Sequence, residues 1–428
     1  MIKRILYTLL IMFPVVASAQ INTDRVMAIG RNALYFEDYV LSIQYFNQVI
    51  NAKPYLSDPY FYRGLAKINL DDFQGAESDC SEAIERNPFV VSAYQVRGLA
   101  RIQQNNFAGA IEDYTKALEF DPENIGVWHN MALCRIRQED YKGAKNDLDK
   151  LIAISPRYTK AYLMRGEVDL KQKDTLAAEK DFGKAIEIDR YDADTWASRA
   201  ILRLQQQRYK DAEADFDHAI RLSTRNSGVY INRALARYHQ NNLRGAMSDY
   251  DIALDIDPNN FIGHYNRGLL RAQVGDDNRA IQDFNFVIEM EPDNMMAIFN
   301  RGLLLDQTGD YKGAIKDYST VINEYPNFLL GYQYRAQARR KIGDVKGADA
   351  DEFKVLKAQL DKQNGVDPNK QTADNTENNK TRKKSDKNMN NYRKIVVADN
   401  EEGEEKYKSD YRGRVQDKNV NIVPQPMF

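Results

Sequence analysis

The chain of 428 residues carries 60 basic and 62 acidic side chains, which leaves a net charge of −2 at pH 7. Such a balanced chain has no overall field to gather phosphates or anionic lipids, so nucleic acid is excluded as an expected partner. With only 2 cysteines, the chain also has no disulfide framework, and its core must form by burial of apolar side chains.

The start of the chain has the three parts of a secretory signal peptide. Lys3 and Arg4 precede an apolar stretch over residues 5–16, and small residues follow at 17–19. The apolar stretch is about 12 residues long, which is shorter than the roughly 20 that a membrane-spanning helix needs. Residues 1–19 are therefore predicted to be a signal peptide cleaved near Ala19. The mature protein is then exported, periplasmic or extracellular, and does not span the membrane.

A small residue returns every 34 positions through most of the chain. The series is Gly30, Gly64, Gly98, Ala132, Gly166, Ala200, Ala234, Gly268, Gly302 and Ala336. A second small residue, usually Ala, follows each of these after 12 positions. A fixed period without insertions predicts one helix-turn-helix unit that is copied along the chain, with each copy burying its apolar face against the next.

Other positions of the unit repeat in step. A bulky residue lies four positions before the first small residue in most units, an aromatic residue lies four positions after the second, and most units end in Pro, which stops a helix. This pattern resembles the tetratricopeptide repeat family. The resemblance implies an all-α fold, a right-handed α-solenoid superhelix of ten repeats over residues 23–362. The repeats are predicted at 23–56, 57–90, 91–124, 125–158, 159–192, 193–226, 227–260, 261–294, 295–328 and 329–362.

Two charged positions recur as well. Position 7 of the unit, usually Leu in the family, is Arg in eight repeats, and position 23 is Asp in nine. The first repeat lacks both charges together, which favours ion pairs within a repeat, and Met131 opposite Asp147 is the exception. The predicted structural ion pairs include Arg233 with Asp249, Arg267 with Asp283, and Arg301 with Asp317.

The sequence contains no pattern typical of catalysis. The four histidines, His129, His218, His239 and His264, fall at different positions of different repeats, so their spacing does not converge on a metal or a nucleophile. The chain is predicted to be no enzyme and to bind no metal or cofactor. Cys80 and Cys134 lie in non-adjacent repeats, too far apart to bridge, and are predicted to be buried free thiols.

A candidate binding groove follows from the resemblance, because the first helix of each repeat lines the concave wall in this family. Position 6 of that helix is Asn at Asn130, Asn232, Asn266 and Asn300. These amides resemble the Asn ladder of O-linked GlcNAc transferase, which holds peptide backbones through donor and acceptor atoms. The predicted apolar neighbours of the ladder are Ile231, Tyr238, Tyr265 and Phe299. The alternative is that Asn at position 6 is only the family consensus.

The composition changes after residue 362. Residues 363–391 are rich in Asn, Lys, Asp and Thr and have almost no large apolar residues, which predicts a disordered polar linker. Residues 392–428 regain aromatic and β-branched residues, which predicts a mostly disordered C-terminal tail that carries a short binding motif. The alternative is a plain tail without a motif.

The combined pattern predicts a non-catalytic protein–protein interaction scaffold of the bacterial cell envelope that holds a partner peptide or protein in its groove. The alternative is an accessory protein of a polysaccharide secretion or uptake machine, binding a glycan or its enzymes. Asp174, Thr175 and Leu176 resemble the short O-glycosylation signal of exported Bacteroidetes proteins. The resemblance implies a Bacteroidetes-like exported protein in which Thr175 is glycosylated.

Overall fold

The computed structural model describes residues 22–222, 225–363, 389, 392–395 and 398. These residues form α-helices joined by short turns and contain no β-strand, which confirms the predicted all-α solenoid. None of the described helices is long and apolar enough to cross a bilayer. The predicted signal peptide, residues 364–388 of the predicted linker and residues 399–428 of the tail lie outside the described residues.

The helices belong to two compact units. The first unit contains α1 Thr23–Tyr35, α2 Tyr39–Ala52, α3 Asp58–Ile68, α4 Phe73–Arg86, α5 Val91–Gln103, α6 Phe107–Phe120, α7 Ile125–Arg137, α8 Tyr141–Ile154, α9 Thr159–Lys171 and α10 Thr175–Ile188. The second unit contains α11 Ala193–Gln205, α12 Tyr209–Arg221, α13 Ser227–His239, α14 Leu243–Ile256, α15 Phe261–Gln273, α16 Asp277–Met290, α17 Met295–Thr308, α18 Tyr311–Glu324, α19 Leu329–Lys341 and α20 Val345–Gln363. Each 34-residue segment contains one pair of helices, and neighbouring helices pack together within each unit.

The turn inside each helix pair uses the same backbone conformation. The residue at position 15 of the repeat has a positive φ, which lies in the left-handed region. Glycine, which adopts this region without steric penalty, occupies the position in the last three repeats, as Gly275, Gly309 and Gly343. An Asp or Asn at position 16 usually accepts a hydrogen bond from the backbone three residues later, as Asp140 does from Gly143, which caps the second helix.

Close packing of a ring against a backbone explains the first small residue of the period. In repeat five, a Cβ atom at Gly166 would lie 2.6 Å from Cε1 of Phe182, a ring that is fully buried. The same arrangement recurs where Gly302 faces Tyr318. The ring of the second helix therefore packs directly on the backbone of the first helix, and a longer side chain at position 8 has no room.

The position-7 arginines pair with the predicted aspartates and also with the preceding repeat. Arg233 donates from Nε to Asp249 Oδ2 (3.0 Å) and from Nη2 to Asp249 Oδ1 (2.6 Å), while its Nη1 donates to Asp217 of the preceding repeat (2.7 Å). Arg267 and Arg301 pair with Asp283 and Asp317 in the same way. The partners in the preceding repeat are Asn47 for Arg63, Ser81 for Arg97, Asp149 for Arg165, Asp217 for Arg233, Asp251 for Arg267, Asn285 for Arg301 and Ser319 for Arg335. The arginines thus link neighbouring repeats, whereas the sequence predicted only pairs within one repeat.

A second cation at position 11 completes most of these sites. Arg237 donates from Nη1 to Asp249 Oδ2 at 2.8 Å, so Asp249 is held by two arginines. Asp147 lacks the first arginine because Met131 replaces it, and its nearest cation is Arg135, with Nε 3.0 Å from Oδ2. Burial, only partly offset by Arg135, raises the pKa of Asp147 to about 6.

The two cysteines are buried free thiols, which confirms their prediction. Burial raises the pKa of Cys80 and of Cys134 to about 12 in each case. A thiol with such a pKa is almost entirely protonated near neutral pH, so both behave as small apolar core residues.

Candidate functional site

Part of the C-terminal region lies against the first helices of the second unit. Residues 389, 392–395 and 398, which we call the tail segment, contact α13, α15 and α17 of repeats seven, eight and nine. The groove lined by these three helices carries most of the side chains that the sequence predicts as peptide-binding. The contacts are of two kinds, hydrogen bonds to the backbone of the tail segment and apolar packing of its side chains.

Asn232 binds the backbone of Ala398 at both polar atoms. Its Nδ2 donates to the Ala398 carbonyl at 2.9 Å, and the Ala398 N–H donates to Asn232 Oδ1 at 2.9 Å. Both residues are buried. One carboxamide can satisfy both groups of a single residue only when these point the same way, which is true of an extended backbone and untrue of an α-helix.

The Tyr392 carbonyl forms the second fixed point. It accepts a hydrogen bond from Tyr265 Oη at 2.8 Å and another from Asn300 Nδ2 at 2.5 Å. Asn300 Nδ2 also donates to the Met296 carbonyl of its own helix at 2.9 Å, and this second hydrogen bond fixes the orientation of the side-chain amide. The Tyr392 ring meets the Phe299 ring edge to face, with centroids 4.8 Å apart and an interplanar angle of 88°.

Apolar side chains of the tail segment enter the core of the second unit. Met389 is buried in the cluster that includes Phe299, Ile395 packs on the cluster around Leu235, and Ala398 is buried in the cluster around Ile231. The segment contacts repeat nine near residue 392 and repeat seven at residue 398, so it runs opposite to the order of the repeats.

Comparison with known families identifies the repeat. Residues 98–134 match the TPR repeat family, and residues 125–158, 159–192, 198–261 and 265–327 match families described as tetratricopeptide repeat. These matches together cover more than half of the chain. The chain belongs to the tetratricopeptide repeat family. Proteins of this family generally act as scaffolds that mediate protein–protein interactions.

Solved structures similar to this tetratricopeptide repeat protein include a repeat protein from Parabacteroides merdae ATCC 43184, with 21% identity, a TM-score of 0.46, and coverage of 58% of this chain and 98% of that one. The C-terminal part of a repeat-containing protein from Cytophaga hutchinsonii has 18% identity, a TM-score of 0.46, and coverage of 55% and 97%. YrrB, a TPR protein with an unusual peptide-binding site, has 20% identity, a TM-score of 0.36, and coverage of 43% of this chain and 95% of that one. No curated protein matches the chain.

The predicted groove residues of this repeat protein differ in their surroundings. Ile231, Asn232, Tyr265, Phe299 and Asn300 surround the tail segment through the contacts above. Asn266 is buried in the same row of helices. Tyr238 donates from its hydroxyl to Gln273 Oε1 at 2.8 Å, beside the tail segment. Asn130 belongs to the first unit, whereas the helices that contact the tail segment belong to the second unit.

A cavity of 340 Å³ remains between the tail segment and the groove wall. Its lining includes Tyr238, Gln273 and Gln307 from the repeats, and Arg393 and Ile395 from the tail segment. The amide and hydroxyl groups of Gln273, Gln307 and Tyr238 make part of its wall polar.

Sequence reasoning treated the groove and the tail as separate binding elements and did not predict their contact. It also placed Met389 in the polar linker, whereas this side chain is buried at only 5% exposure. A usable signal is the spacing of Met389, Tyr392, Ile395 and Ala398, which recur at every third position. In a backbone with three residues per turn, side chains at that spacing lie on one side.

Proposed function

We propose that this protein is a non-catalytic scaffold that holds a non-helical peptide segment of a partner protein in the groove lined by α13, α15 and α17. The observation that carries the proposal is the pair of reciprocal hydrogen bonds between Asn232 and the backbone of Ala398. A side chain that hydrogen-bonds to both the N–H and the C=O of one residue suits a peptide ligand, because every residue except proline has these two backbone groups.

Backbone contacts and apolar pockets have different roles in this proposal. Asn232, Asn300 and Tyr265 supply four hydrogen bonds to backbone atoms, each with a net contribution of about 0.5–1.5 kcal/mol. The bonds at Ala398 support affinity for a segment that is extended at that residue, and the bonds at Tyr392 support affinity for one whose carbonyl points to Tyr265 and Asn300. Selection among segments then depends on the apolar side chains that fit beside Phe299, Leu235 and Ile231.

The cell envelope is the proposed location. The support is the pattern of residues 1–19, which has the charged, apolar and small-residue parts of a signal peptide. The partner is accordingly a protein that is exposed in the periplasm or outside the cell.

The test is photo-crosslinking in cells that make the protein naturally. A photoreactive residue replaces Gln307, which is exposed and lines the groove cavity, or Asn323, which is exposed on the second helix of the same repeat. We expect an adduct with another polypeptide from position 307 and none from position 323. When Asn232→Ala and Asn300→Ala are combined, the yield of the adduct from position 307 should fall at least about tenfold.

Three results of this experiment would contradict the proposal. The first is equal crosslinking from both positions. The second is that the adducts at position 307 contain only a glycan or this chain itself, with no other polypeptide. The third concerns the location of the protein. Mass spectrometry of the same envelope fraction should show a chain that begins near Gln20. A chain that retains residues 1–19 would contradict cleavage of the signal peptide.

A further inference from the structure

The tail segment shows which side chains the groove accepts. Met389, Tyr392, Ile395 and Ala398 face the repeats, whereas Arg393 and Lys394 between them are exposed. A ligand of the same groove is therefore constrained at the positions equivalent to these four residues and less constrained at those equivalent to Arg393 and Lys394.

The size of each pocket differs. An aromatic ring at residue 392 fits edge to face on Phe299, and an aliphatic side chain at residue 395 packs on the cluster around Leu235. Ala398 is only 3% exposed, and its backbone is fixed on both polar atoms by Asn232. Because the backbone cannot move away, a side chain longer than a methyl group at this position must displace the wall around Ile231.

We propose that the partner's segment carries an aromatic residue, an aliphatic residue three positions later and Ala or Gly six positions later, and that the chain's own tail segment competes with it for the groove. This inference rests on the proposed function and names its ligand class. The segment lies opposite to the repeat order, with its aromatic residue at repeats eight and nine and its small residue at repeat seven.

Competition within one chain has a calculable size. A ligand tethered to its own site commonly acts at an effective concentration of about 1 mM. If the tail segment binds with a dissociation constant of about 0.1 mM, the apparent affinity for an external peptide falls roughly tenfold. An external partner must therefore bind more tightly than the tail segment or be present at high local concentration.

The experiment measures fluorescence anisotropy of a labelled synthetic peptide with the sequence of residues 386–400. The full mature chain is compared with a released variant, Tyr392→Ala combined with Ala398→Leu, and with the matched control Lys394→Ala, which changes an exposed residue of the same segment. We expect the released variant to bind the peptide about tenfold more tightly than the unchanged chain, and the control to bind like the unchanged chain.

The peptide itself carries the second half of the test. An Ala398→Leu peptide should lose at least tenfold in affinity for the released variant, whereas a Lys394→Ala peptide should bind as the parent does. Adding Asn232→Ala to the released variant should also weaken binding at least tenfold. Helicity is measured for each variant, and Ile395→Asn provides a second released form if the first does not fold.

The outcomes separate this inference from the proposed function. Equal binding to the released and unchanged chains overturns the competition, and full affinity of the Ala398→Leu peptide overturns the side-chain pattern. Absence of peptide binding to every variant overturns both the competition and the side-chain pattern. In that case an adduct at position 307 in cells would still support the proposed function as a peptide scaffold. A concentration-dependent dimer that the released variant abolishes places the segment in a second copy and overturns competition within one chain.

Discussion

Replacing Arg233 by Ala is expected to lower the free energy of unfolding by about 3 kcal/mol. The substitution removes two hydrogen bonds to Asp249 and one to Asp217 of the preceding repeat. Asp249 is fully buried and would be left with Arg237 alone, so its charge would be poorly compensated. Because Arg237 remains, the effect lies at the lower end of the usual range for breaking a buried pair. Urea unfolding followed by circular dichroism measures it.

The matched control for this prediction is Arg208→Ala. Arg208 forms an ion pair with Asp211 one turn away, and both side chains are substantially exposed. An exposed pair contributes less than about 1 kcal/mol, so this variant should unfold close to the unchanged protein. If Arg233→Ala were no more destabilising than Arg208→Ala, the arginine series would be a surface feature and not a link between repeats.

Gly166→Leu is expected to destabilise the protein by about 1–3 kcal/mol, since the new side chain enters a fully packed contact. Even its Cβ would lie 2.6 Å from the buried ring of Phe182. The same substitution at Gly183, on the second helix of the same repeat, is expected to raise stability by up to about 1 kcal/mol. A Cβ there would meet no described atom within 4 Å, and Leu favours a helix over Gly.

The two glycine variants therefore have opposite expected signs, and thermal unfolding of both reports the difference directly. Ala200 and Ala234 occupy the position equivalent to Gly166 in the next two repeats, opposite Phe216 and Tyr250, so a single methyl group is compatible with the ring. If Gly166→Leu unfolded at the same temperature as the unchanged protein, the small-residue period would not arise from helix contact.

The fold was predictable because its cause repeats. A small residue every 34 positions reports the same ring-on-backbone contact in copy after copy, and a periodic cause leaves a periodic signal. The bridge from Arg233 to the preceding repeat was missed because its partner position holds Asn, Ser or Asp in different repeats. The second cation at position 11, such as Arg237, was also overlooked, although it recurs in most repeats.

The candidate site was only partly predictable. The Asn residues at position 6 and the aromatic and β-branched residues after 391 were both recognisable in the sequence, as two separate features. Their contact joins Asn232 to Ala398 across 166 positions and occurs once, so it has no period to detect. Asn130 has the same repeat position as Asn232 but belongs to the first unit, so the repeat position alone does not indicate which amides contact the tail segment.

The central claim is that the amides of repeats seven and nine hold a peptide backbone, and hydrogen–deuterium exchange of the chain's own tail segment tests it most directly. The Ala398 N–H donates to Asn232, so this amide should exchange at least tenfold more slowly than in the free peptide of residues 386–400. Combining Asn232→Ala with Asn300→Ala should remove that protection, whereas Asn323→Ala should preserve it. Exchange of Ala398 at the free-peptide rate in the unchanged protein would contradict the account.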